Sequence, residues 1–231
     1  MSKVRFGGGV AEMRGSNAGT VFSRNRGGAY TRNRITPLNP QTVNQTFIRD
    51  IMSDAAGNWG ALLTQAQRDQ WTSFAALYPV TNVFGESIVL TGQQFYARVF
   101  ADLVRRGLTA LVVPGANMDV IQLLTLTSTF TLGAPSTFSV AYTPTPIGAL
   151  THLSIWATPA MPPGRKYAKN LLRLIFTSAV NAASPAAIYA AWGARFGADP
   201  VAGQRIVTEA HAINSANGST GVRLRADAIV V

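Results

Sequence analysis

Four arginines carry the strongest chemical signal in this 231-residue chain: Arg24, Arg26, Arg32 and Arg34. Side chains two residues apart on extended backbone point the same way, so each pair makes a local patch of guanidinium groups. Tyr30 lies between the pairs and offers a ring that stacks on a base or on an arginine. Such a set is built to touch anions. The leading expectation is docking along acidic neighbouring subunits through two-pronged arginine–carboxylate pairs. The alternative is the nucleic-acid backbone, contacted at phosphates with no base readout.

Other chemistry is thin. His152 and His211 each sit alone in an expected strand, where a histidine is a packed or surface residue. The acids are scattered, and Asp50 and Asp54, four apart on one helix face, are expected to pair with arginines such as Arg49. No His/Asp/Glu cluster has metal-ligand spacing. With no cysteine in the chain, disulfides, thiolate zinc sites and cysteine nucleophiles are excluded. Gly7-Gly8-Gly9 lacks the GxxxxGK[ST] order of a phosphate loop and reads as chain flexibility. A second basic cluster, Arg165, Lys166, Lys169 and Arg173, reads as a solvated loop, and Trp59, Trp71, Phe74 and Tyr78 as a shared helical core. The expectation is a non-enzyme with no catalytic residue, cofactor or metal.

The elements that would position the arginines fall into three regions. Residues 1–38 hold seven basic side chains against one acid, Glu12, set among glycines. Apolar side chains are too sparse here to offset ordering the backbone, which costs roughly 1–2 kcal/mol per residue. This region is expected to be an extended basic arm, ordered by what it touches. Residues 39–113 are expected to be helical, because Thr42/Gln45, Thr64/Gln67 and Thr91/Gln94 each have capping-box spacing ahead of a helical apolar pattern. Residues 114–231 switch to β: strand-like runs at 121–132, 137–142, 150–157, 171–178, 205–214 and 222–231 are separated by Pro- and Gly-rich joints. They predict an antiparallel β-sandwich of fibronectin III or immunoglobulin-like type, so the fold class is α+β. The apolar stretch 184–197 reads as a long loop with one helical turn. The net charge of +10 favours anionic partners. No run approaches the roughly 18 apolar residues of a membrane span, and no membrane partner or secretory signal is expected.

Residues 16–75 resemble a segment of uncharacterised tailed-phage and prophage proteins. The pattern is a GG-x-Y-x-R-x-R turn, then P-x-N-P-x-T-x-x-Q and an arginine, then W-x-x-L-[ST]-x-x-Q-R-x-x-W. It is matched by Gly27, Gly28, Tyr30, Arg32, Arg34, Pro37, Asn39, Pro40, Thr42, Gln45, Arg49, Trp59, Leu63, Thr64, Gln67, Arg68 and Trp71. The step from Trp59 to the leucine is one residue longer than in the pattern. The resemblance implies a structural virion component, present in many copies among other virion proteins at the head–tail junction, tail or capsid exterior. Capsid decoration and a DNA-binding role in the virion interior are the alternatives; a glycan-binding or hydrolytic tail component is disfavoured because no carboxylate pair has recognisable context. It supplies no catalytic residue.

Overall fold

The three threonine–glutamine pairs all close as capping boxes. Thr64 N–H donates to Gln67 Oε1 at 2.8 Å while Gln67 N–H donates to Thr64 Oγ1 at 3.4 Å. Thr91 and Gln94 repeat this at 3.1 and 3.3 Å, and Thr42 and Gln45 at 3.3 and 3.4 Å. Each box pairs amides that the first helical turn leaves without partners. The helices behind them are α1 (Val43–Gly57), α2 (Gln65–Leu77) and α3 (Gly92–Val104), with a π-helical turn at Asn58–Leu62.

The structure, a computed structural model, describes residues 2–3, 7–10, 12–25, 28–36, 38–81, 85–165, 167–197 and 199–231. Contacts divide the chain into two compact units, 1–45 and 46–231. The class is mixed α+β with antiparallel sheets. Among the described residues no helix is long and apolar enough to cross a membrane.

In the first unit, the chain is not one extended arm. Strands β1 (Ser2–Lys3), β2 (Gly15–Asn17), β3 (Thr20–Asn25) and β4 (Gly28–Asn33) form an antiparallel sheet in the order β1-β4-β3-β2. Extended backbone has paired with itself: Ala18 and Gly19 turn β2 into β3, and Thr20 to Asn25 then zip against Asn33 to Gly28. Even so, no residue of this unit whose burial is described is fully buried; residues 20–23 and 28–31 are half-buried.

The second unit carries every apolar core. Trp71, Phe74 and Ala75 of α2 meet Phe95, Tyr96, Val99, Phe100 and Leu103 of α3, with Ile51 and Ala55 of α1 added. Trp59 and Tyr78 pack at the edge, so the four expected aromatics do share a core. Gly92 permits the tight α2–α3 approach, since a Cβ there would lie 2.4 Å from Thr72 Oγ1. A short hairpin, β5 (Val80–Thr81) with β6 (Ser87–Ile88), joins the two helices.

Beyond α3 come β7 (Thr125–Thr131), β8 (Thr137–Thr143), β9 (Thr151–Ala157), β10 (Arg173–Thr177), β11 (Ala186–Ala187), β12 (Arg205–Asn214) and β13 (Leu224–Ile229). They form one antiparallel sheet ordered β10-β9-β12-β13 and another ordered β11-β8-β7. Phe130, Phe138, Val140 and Tyr142 of one sheet share a core with Leu153, Ile155, Ile206 and Ala210 of the other. Beyond β13, Val230 bridges in parallel to Phe130, which joins the two sheets at one edge. The apolar stretch 184–197 holds more than one turn of helix: α4 (Tyr189–Phe196) inserts the buried Trp192 into this core, where its indole N–H donates to the Thr158 carbonyl at 2.9 Å. A buried indole needs such an acceptor.

Candidate functional site

Strand register decides which of the arm residues act together. Residues opposite each other in an antiparallel pair share a face, and faces alternate along a strand. Arg24 stands opposite Ala29, with Phe22 and Thr31 on its face; Tyr30 stands opposite Ser23, and Arg32 opposite Val21, on the other face. Arg34 follows Arg32 on that second face, its N–H donating to the Gly19 carbonyl at 2.8 Å in continuation of the ladder. The sequence expectation of two equivalent arginine pairs flanking Tyr30 therefore changes. Tyr30, Arg32 and Arg34 share one face and Arg24 lies on the opposite one, while Arg26 lies outside the described residues.

Electrostatics separates them too. Glu12 accepts from Arg14 at 3.0 Å and lies 3.8 Å from Arg24. The single acid of this region is thus engaged by Arg14 and Arg24. Arg32 and Arg34 are exposed and have no acid partner among the described residues. The chemistry left over is a half-buried tyrosine with two exposed guanidinium groups, suited to carboxylates or phosphates from outside.

Among the described residues, β1 pairs with Tyr30 and Thr31 of β4, and β2 with Thr20 to Phe22 of β3. A small sheet without a fully buried face has little to hold it alone.

A polar cluster in the second unit joins the helical layer to the sheet. The buried Arg106, just past α3, donates to His211 on β12 at 2.9 Å and to Asp102 at 3.0 Å. Its guanidinium sits 5.4 Å from the ring centre of Trp156 on β9, which stacks on His211 at 4.6 Å and 22°. The exposed Arg223 covers the same indole at 5.1 Å. Burial, then the two nearby guanidinium groups, pushes His211 down to about 3, so the imidazole stays neutral and accepts from Arg106. Burial likewise pulls Arg106 below its ordinary range, opposed by Asp102. The cluster fastens two layers; no carboxylate approaches His211 to make it a base. Sequence reasoning missed this contact because 105 residues separate its ends.

The remaining expected features have local uses. His152 bonds the Ser178 carbonyl at 2.7 Å through Nδ1. Arg173 donates to the carbonyls of Asn170 and Leu172, both at 2.9 Å, and Arg165 to that of Tyr167 at 3.2 Å; Lys166 lies outside the described residues. Arg68 donates to the carbonyls of Gly60 and Leu63 at 3.0 and 2.9 Å and so closes the π-helical turn. Asp50 and Asp54 do not pair with arginines as expected: both are exposed and have no ion-pair partner among the described residues. Nor does any group of His, Asp or Glu among the described residues suit a metal ion.

No protein-family model matches this chain, and no curated protein matches its sequence.

Proposed function

We propose that this chain is a non-enzymatic structural protein of a tailed-phage particle. It is present in many copies at the head–tail junction, tail or capsid exterior, and residues 1–45 dock on neighbouring subunits. One observation carries the reading: a four-stranded sheet in a strongly basic segment, with no buried side chain among those described. Such a sheet gains its missing contacts from a neighbour, and its ordering cost is met only on assembly. The phage assignment is supported by the motif resemblance over residues 16–75. Four plus three antiparallel strands sharing one core fit a fibronectin III or immunoglobulin-like sandwich, a module that projects well from a particle.

Deleting residues 1–34 tests this. The body retains all three of its apolar clusters and unfolds with unchanged cooperativity, but no longer assembles or enters particles. Undiminished assembly of the deleted chain would refute the reading. The exposed Arg32 and Arg34 beside Tyr30, with no acid partner among the described residues, also favour a second reading, a virion DNA-binding protein. That reading requires duplex affinity that falls steeply with salt, with a slope of roughly 0.9 per phosphate contact, and that disappears with the arm.

A further inference from the structure

We infer that the acceptor for the N-terminal sheet is helix α1 of a second copy of this chain. The inference rests on reading residues 1–45 as a docking module.

Helix α1 is fifteen residues long yet buries only Ile51 and Ala55. At about 100° per residue, Phe47, Asp50 and Asp54 form a strip along one flank of that buried line. Phe47 is 45% exposed, and both carboxylates are exposed with no ion-pair partner among the described residues. The strip is an aromatic followed by two anions. The Tyr30 face of the sheet is an aromatic followed by two cations: Tyr30, Arg32, Arg34.

The spacings agree as well as the charges. Asp50 and Asp54 are one helical turn apart, about 6 Å along the axis at ~1.5 Å per residue. Arg32 and Arg34 are about 7 Å apart at ~3.4 Å per residue. Phe47 precedes Asp50 as Tyr30 precedes Arg32, so ring meets ring when the charges pair. The linker of residues 34–42 extends to about 30 Å at most, at ~3.3 Å per residue, enough to reach a neighbour. Sheet and helix are different surfaces, so each copy both donates and accepts. Such a head-to-tail contact builds rings or filaments of many copies.

The test uses two full-length variants, Asp50→Arg/Asp54→Arg and Arg32→Glu/Arg34→Glu, with sedimentation of each alone and mixed. Each alone places like charges together and self-associates roughly tenfold or more weakly than the unaltered chain. Mixed, they recover association, because each copy's sheet then meets a complementary helix on the other. Thermal unfolding checks the fold, and Asp50→Asn/Asp54→Asn, with a smaller expected loss, stands in should the reversal unfold the helix. Unaltered chains that remain monomeric at high concentration would overturn the inference, as would a mixture that fails to recover. If helix reversal has no effect while deletion of residues 1–34 abolishes association, the docking role stands and α1 is not the acceptor. If Arg32→Glu/Arg34→Glu leaves self-association intact and instead abolishes duplex-DNA binding, the face belongs to nucleic acid and the inference falls.

Discussion

Residues 1–45 and 46–231 obey the same local rules and end with opposite energetics. Both contain antiparallel strands in good register. In the second unit, β12 buries side chains on both faces: Ile206 and Ala210 toward the other sheet, Ile213 against the helices, and His211 between Arg106 and Trp156. In the first unit, the described side chains of β3 and β4 are at most half-buried. Backbone pairing alone contributes little net stability, because water offers the unfolded chain equivalent hydrogen bonds. The contrast separates a unit with apolar cores of its own from one with no fully buried side chain among those described.

Three substitutions sharpen the contrast within the self-supporting unit. Trp71→Ala removes the ring that T-stacks on Tyr96 at 5.4 Å and donates to the Val112 carbonyl at 3.1 Å. Urea unfolding should register a loss of about 3–5 kcal/mol. Acid should weaken the same unit through His211. Its folded value of about 3 lies below the unfolded one, so stability is full above about pH 6.5 and falls as the unfolded imidazole gains its proton. By pH 4 the loss from this group reaches about 3 kcal/mol, at ~1.4 kcal/mol per pH unit. His211→Gln, which keeps an acceptor for Arg106, should flatten that part of the pH–stability profile. The smallest effect is at a cap: Thr91→Ala opens the α3 box and should cost about 1 kcal/mol.

What could be read from the sequence follows the range of the interactions. The capping boxes were legible because donor and acceptor are three residues apart and use fixed residue types. β12 was legible to its ends because ten residues of β-rich sequence lead into the polar turn at Asn217-Gly218. The N-terminal sheet was not, since its strands bury no face fully and carry no apolar alternation; only pairing reveals it. With it was lost the division of the arginines, which depends on register and on Glu12. α4 was legible only as one helical turn within a loop, because its capping position, Ile188, makes no side-chain cap, and its small residues give little beyond Trp192 to mark a buried side.

Hydrogen exchange on the full-length chain tests the central claim most directly. In the free monomer, amides of β3 and β4 should exchange within the earliest time points, while those of β9 and β12 exchange only through global unfolding. On assembly, β3 and β4 should gain protection. Protection of β3 and β4 equal to that of β12 in the isolated monomer would contradict the account, because the N-terminal sheet would then be stable without a partner.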